Sequence, residues 1–385
     1  MTKLREYDIL YCMIPRIISI EKNLEKNKVL IIYGARQVGK TTLVNAFLSQ
    51  TNLTYQFYSG DQLDIAHDFS RCELEVLKKM IGSAQLLVID EAQKIERIGR
   101  ALKLIVDHFP DIYVIATGSS SFDLANATAE PLTGRKNKVT LYPISIQELA
   151  QNQSSYNIEK QISNYLMYGM YPNIITYDTY DKKQNRITEI TNSYLIKDIL
   201  AFHKVKQSYL VMQLLKKLAF QIGQEVSTTE LGQSLGLDHK TIQRYLDLLE
   251  KSFVIYRLNG FSRNLRSEIN KMSKYYFYDL GIRNALISNF NELDTRNDVG
   301  QLWENFIIIE RLKQNSYSKT AVNSYFWRTY SQQEIDLIEE KNGQLYAYEF
   351  KRNPKKVRPP KEWQRAYPDA MFSTISLTNW MQFLE

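Results

Sequence analysis

Cysteine is scarce: two in 385 residues, Cys12 and Cys72, with no CxxC pair and no Cys/His cluster. This excludes a disulfide framework and a thiolate zinc site, and makes a reducing cytoplasm the expected setting. The four histidines, His203 and His239 among them, show no metal-ligand spacing. Nowhere do about eighteen apolar residues run together, and Glu6 and Asp8 interrupt the first stretch, so neither a membrane span nor a signal peptide is expected. No internal repeat and no low-complexity tract is evident.

What is present fits a folded globular chain. Hydrophobic residues make up 44% and charged residues 24%, and the length favours two or three domains over one. The net charge of +7 is unevenly spread. Lys204 to Arg283 holds 13 Lys/Arg against 7 Asp/Glu, Lys351 to Arg365 holds 7 against 1, and the remainder sums to −5. Such asymmetry points to a polyanion partner for the C-terminal half, with a solvated basic face as the plainer alternative.

From Lys28 to about Leu141, short apolar runs (Val29 to Tyr33, Tyr55 to Tyr58, Leu86 to Ile89, Tyr113 to Ala116, Val139 to Leu141) alternate with helical patterns. That alternation predicts an α/β domain with a buried parallel sheet. Between the first run and a helix beginning near Lys40 lies Gly34-Ala35-Arg36-Gln37-Val38-Gly39-Lys40-Thr41, which fits G-x-x-x-x-G-K-[ST] and continues into Thr42. Its backbone N–H groups suit phosphate oxygens, Lys40 the β/γ charge of ATP, and the Thr41 hydroxyl a Mg²⁺ ion. Leu86 to Ile89 ends in Asp90-Glu91, a Walker B element with Asp90 as outer Mg²⁺ partner and Glu91 as the base polarising water. Ser145 with Glu148 reads as a capping box opening a helix, and Gln151 to Asn157 as a linker.

Farther on, Ser227 and Asp238 cap two helical patterns separated by Gly236, and Ile242, Leu246 and Leu249 share a core face. His239, Lys240, Gln243 and Arg244 are left outside, as on a DNA-recognition helix, and Arg263, Arg266, Lys271 and Lys274 follow like a basic wing. Near the C-terminus, Glu334 to Ile338 and Leu345 to Lys351 flank Asn342-Gly343, predicting a hairpin with a two-residue turn. That register sets Asp336 opposite Glu349 and Glu334 opposite Lys351 on one face, with Ile335 and Leu337 facing Phe350 and Tyr348 on the other. Opposed carboxylates repel, so a cation between Asp336 and Glu349 would give the pair a purpose, with Lys351 holding a water beside it. A salt-bridged hairpin is the alternative.

On Gly34 to Thr42, Leu86 to Ile95, Thr117 to Ser121 (TGSSS), Leu132 to Arg135 (LTGR) and Leu141 to Ser145 (LYPIS), the chain resembles AAA-type P-loop ATPases of bacteria and archaea with a C-terminal winged-helix and restriction-endonuclease-like region. The likeness covers about residues 14 to 352. It implies that the strand ending at Thr117 lies between the phosphate-loop and Walker B strands, that Thr117 or Ser119 senses the γ-phosphate, and that Arg135 is an arginine finger or sensor, with an ordinary surface arginine as the alternative. Asp336, Glu349 and Lys351 resemble the PD-(D/E)xK nuclease core, with Glu304 as its helical acidic residue. The resemblance implies a second divalent metal, Mg²⁺ or Mn²⁺, held there by Glu304, Asp336 and Glu349. A proline before Asp336 is missing from this pattern. The implied division is an ATPase domain over 1–150, a helical lid or linker over 151–225, a winged helix over 226–290 and an α+β restriction-endonuclease-like domain over 291–385. DNA is the expected partner; a protein partner and self-association stay open, and a membrane is not expected. The alternative is an ATP-driven switch or scaffold that binds protein partners, with the nuclease-like domain inactive and its fold retained for binding.

Overall fold

The computed structural model describes residues 14–118, 132, 134–194, 208–261 and 272–385. The chain divides into two units, one of Arg16–Tyr142 with Lys251–Phe253 and one that includes Pro143–Glu250 and Val254–Glu385.

The first unit is built on β1 (Val29–Tyr33), β2 (Tyr55–Ser59), β3 (Leu86–Asp90), β4 (Tyr113–Gly118) and β5 (Lys136–Thr140), in the order β2-β3-β4-β1-β5. All the pairings are parallel. Its helices include α1 (Lys40–Leu48), α2 (Leu63–Arg71), α3 (Leu74–Ile81) and α4 (Ile98–His108). β1 and β3 are buried along their whole length, as expected of central parallel strands that carry no polar face. Ile31, Leu87, Ile89 and Val114 share a core with Leu102 and Ile105 of α4. Burying each such side chain contributes ~1.5–3 kcal/mol. β4 lies between β3 and β1, where the family likeness puts it. β5 begins three residues before the apolar run that suggested it, because its register sets Lys136 opposite Val29. It is a half-buried edge strand, so apolar content marks it poorly.

The second unit carries a seven-stranded mixed sheet, ordered β12-β11-β10-β9-β7-β8-β6. Its strands are β6 (Glu225–Val226), β7 (Ile255–Gly260), β8 (Ser273–Phe277), β9 (Asn323–Arg328), β10 (Glu334–Lys341), β11 (Gln344–Phe350) and β12 (Met371–Ile375). β7 pairs in parallel with β9, so one sheet runs through both intervals, 226–290 and 291–385, that the sequence separates. A shared main-chain ladder is invisible to composition. The β10–β11 hairpin has the expected register, Leu337 opposite Tyr348 and Lys341 opposite Gln344. Asn342 and Gly343 both sit at positive φ, as a type I′ turn requires.

Three further helices matter for the sites: α5 (Thr228–Leu235), α6 (His239–Lys251) and α7 (Val299–Tyr317). The described residues of 151–224 are largely helical, including the helices Ile162–Tyr168, Tyr180–Tyr194 and Ser208–Phe220, and they belong to this second unit. Asn284 of the helix Leu280–Leu286 donates to the Leu166 and Met167 carbonyls at 3.0 and 2.8 Å. A Cβ at Gly281 would lie 2.1 Å from the Tyr168 carbonyl oxygen, so only glycine permits this approach.

Candidate functional site

The phosphate-binding loop leaves β1 at its C-terminal end. Gly34 has φ +152, and a Cβ there would lie 2.1 Å from the Leu141 carbonyl oxygen. Gln37 and Gly39 also take positive φ, which curls the loop before α1 starts at Lys40. Lys40 is 4% exposed, and its ammonium donates to the Gly34 and Ala35 carbonyls at 2.9 Å each. The Thr41 hydroxyl donates to Asp90 Oδ2 at 2.9 Å, joining loop and Walker B strand.

Thr117 is fully buried at the end of β4. Its hydroxyl donates to Asp90 Oδ1 and accepts the Glu91 N–H at 3.2 Å, so both of its capacities are used in bracing the carboxylate pair. Glu91 holds φ +50, a conformation uncommon for a side-chain-bearing residue and frequent where function fixes the backbone. Gln93, which the sequence reading passed over, donates its amide to the Glu91 carboxylate. The Gln93 side chain is buried, and its own Oε1 has no hydrogen-bond partner. An amide two positions after a Walker B glutamate was the available signal.

Ser119 lies outside the described residues, as do Arg263, Arg266 and Lys271. Arg135 is described, and the structure does not bring it to the loop. It precedes Lys136, which pairs with Val29 at the start of β1, whereas the loop follows Tyr33 at the end. Parallel strands place these at opposite ends of the strands, and the Arg135 guanidinium pairs with Asp107 of α4.

In the second unit, Ser227 caps α5 by accepting the Glu230 N–H, Gly236 ends α5 in the left-handed conformation, and Asp238 accepts the Thr241 N–H at 2.9 Å to open α6. Hydrogen bonds from Thr241 hold the Asp238 carboxyl below its usual range. His239, Lys240, Gln243 and Arg244 are exposed, while Ile242, Leu246 and Leu249 are buried. Other basic residues of the same stretch are engaged: Arg257 pairs with Asp247 and Glu250, and Arg283 with Asp298 at 2.5 Å. The local positive charge is therefore partly internal.

Lys274 corrects the sequence reading. Rather than standing on an exposed wing, it is 1% exposed, ion-paired with Glu334 and with Glu304 at 3.2 Å. Burial alone would depress the Lys274 ammonium, but Glu304, Glu334 and Asp336 outweigh it and hold the group above the usual lysine value. Tyr276, two residues along β8 on the same face, donates to Glu304 at 2.6 Å. Asn305 fixes this alignment by accepting the Phe277 N–H at 2.7 Å and donating to its carbonyl at 2.9 Å.

The structure thus gathers Glu304, Glu334, Asp336, Glu349 and Lys351, but pairs them differently from the hairpin reading. Glu334 meets Lys274 rather than Lys351, and Lys351 meets Glu349 at 2.7 Å. Asp336 is buried in a strand covered on both faces and accepts the Phe350 N–H at 2.7 Å. Burial, and then Glu304 and Glu349, push its carboxyl well above the usual range. Every carboxylate of this set already has a cationic or N–H partner. Among the described residues no group of three or more His, Cys, Asp or Glu is arranged to hold a metal ion. The donor set does not fit the expected second divalent metal. The phosphate-loop set does fit Mg²⁺-ATP, since the curled backbone, the Lys40 ammonium and the Thr41–Asp90 pair converge at one strand edge.

Three family models match: an AAA domain over 26–150, and domains of unknown function over 159–293 (DUF8612) and 299–379 (DUF4143). The first suggests nucleotide binding and ATP hydrolysis. Similar proteins include an uncharacterized protein of Mycobacterium tuberculosis, 26% identical over 337 residues covering 86% of this chain and 72% of that protein. One of Haemophilus influenzae is 25% identical and covers 74% of each chain, and one of Methanocaldococcus jannaschii is 24% identical over 93% of this chain and 83% of its own. A solved structure, protein VC1899 of Vibrio cholerae, aligns over 91% of this chain and 88% of that one at 8% identity and a TM-score of 0.17, which carries no argument. Among the described residues no helix is long and apolar enough to cross a membrane.

Proposed function

We propose that this chain is a Mg²⁺-dependent ATPase that binds DNA through a winged helix formed by α5, α6 and the β7–β8 pair. The observation that carries the first part is the joining of Thr41, Asp90, Thr117 and Glu91 by hydrogen bonds at the mouth of the phosphate loop. With nucleotide bound, Lys40 would exchange its loop carbonyls for phosphate oxygens, and Thr41 with Asp90 would hold the ion. Mg²⁺, when bound, supplies neutralisation of the charge that builds on the phosphate oxygens. Glu91 accepts a proton from the attacking water.

Gln93 positions Glu91 in this reading. Its hydrogen bond to a charged group is worth ~1.5–3 kcal/mol. Gln93→Leu should therefore lower kcat about tenfold or more while leaving the Kd for ATP unchanged. Equilibrium nucleotide binding beside steady-state phosphate release checks this, and an unaltered kcat would reduce the contact to packing.

For DNA, the exposed first turns of α6 support phosphate contacts from Lys240 and Arg244. Duplex binding by the full chain should weaken steeply with salt, and Lys240→Ala or Arg244→Ala should each lower the log-log slope by about one. No binding at low salt would favour the alternative, a nucleotide switch that binds a protein through the same helix.

A further inference from the structure

Two carboxylates of the second unit, Glu304 and Glu334, meet a cation that belongs to the chain. Lys274 reaches from β8 to Glu304 on α7 and Glu334 on β10, with its ammonium 5.5 Å from the centre of the Phe326 ring. Tyr276 completes the Glu304 shell. Three elements distant in sequence are thus tied at one point by a side chain 1% exposed. The remaining groups are settled in pairs: Glu349 with Lys351, Asp336 with the Phe350 N–H, and Glu225 with Arg328 at 3.1 Å.

We propose that the Lys274 ammonium occupies the place of a divalent ion in this nuclease-like cluster, so that the cluster binds no metal and cuts no phosphodiester, serving instead as an internal clasp between β8, α7 and β10. A buried ammonium supplies the positive charge that lets the carboxylates of Glu304 and the half-buried Glu334 lie close together. It cannot do what a metal does there, since it has no open coordination position at which to bind water or lower its pKa. The proposal does not rest on ATP hydrolysis or on DNA binding.

The test is Mn²⁺ titration of the full chain, followed by thermal unfolding and by electron paramagnetic resonance of free Mn²⁺, without nucleotide. Because the phosphate-loop site also has oxygen donors, the parent and Lys274→Ala are each compared with the same protein carrying Asp336→Asn. Only a response that Asp336→Asn removes belongs to this cluster. The parent should show none, and no nicking of plasmid DNA. Lys274→Ala, which uncovers Glu304 and Glu334, should gain Mn²⁺ affinity at least tenfold, and this gain should vanish when Asp336→Asn is added. A parent whose Mn²⁺ response is abolished by Asp336→Asn would overturn the proposal, as would a folded Lys274→Ala that gains no affinity. Should Lys274→Ala fail to fold even with Mn²⁺, the parent and Asp336→Asn alone decide: equal Mn²⁺ responses support the internal cation, unequal ones refute it.

Discussion

Glu91→Gln should bind ATP as tightly as the parent and release phosphate ~10²–10⁴ times more slowly, the range that a positioned general base supplies. The amide keeps the size of the side chain and its contact with Gln93, but it cannot take a proton from water. Lys40→Ala should fail earlier, at binding, since it removes the buried ammonium held by the loop carbonyls and with it charge-assisted hydrogen bonds to phosphate. The two variants therefore separate occupancy from turnover. Fluorescent-nucleotide binding and phosphate release, with thermal unfolding as a control for folding, read out both. A Glu91→Gln protein that turns over at the parent rate would remove Glu91 from the mechanism.

The second large effect is on stability. Lys313 is 1% exposed on α7, donating to Glu310 at 2.6 Å and to the Ile144 carbonyl at 3.0 Å. Glu310 in turn accepts the Ile146 N–H at 2.7 Å. Burial pushes the Glu310 carboxyl up, against the pull of Lys313. Lys313→Met leaves that carboxylate unpaired in the interior and should cost ~3–5 kcal/mol, out of a total stability of ~5–15 kcal/mol. Adding Glu310→Gln keeps an acceptor for Ile146 while removing the charge, and should recover a good part of the loss. Urea unfolding of the three proteins gives the comparison. A cost below ~1 kcal/mol for Lys313→Met would mean that the pair is effectively solvated.

These effects also mark what a one-dimensional reading reaches. The phosphate loop and Asp90-Glu91 are local: a few adjacent residues fix both backbone and chemistry, and the structure joins them through Thr41. The hairpin was legible for the same reason, because Asn342-Gly343 selects one turn and one turn sets the register. The capping box at Ser145 and Glu148 forms as its spacing implies. Lys274 was not legible. Its partners Glu304 and Glu334 lie dozens of positions away on other elements, and a lysine in a basic stretch reads as solvated until the sheet order is known. The place of Arg135 was not legible either, since only the parallel register shows that it sits at the start of the strands, away from its own phosphate loop. The joining of β7 to β9 likewise depends on backbone pairing, which leaves no mark on residue type.

The central claim, that the first unit hydrolyses ATP with Thr41, Asp90 and Glu91, is tested most directly by phosphate release from the purified chain at saturating ATP, with and without Mg²⁺. The account predicts release that requires Mg²⁺ and is lost in Lys40→Ala and Glu91→Gln. Failure of the folded parent to bind nucleotide, or hydrolysis that continues unchanged without Mg²⁺ or in either variant, would contradict it.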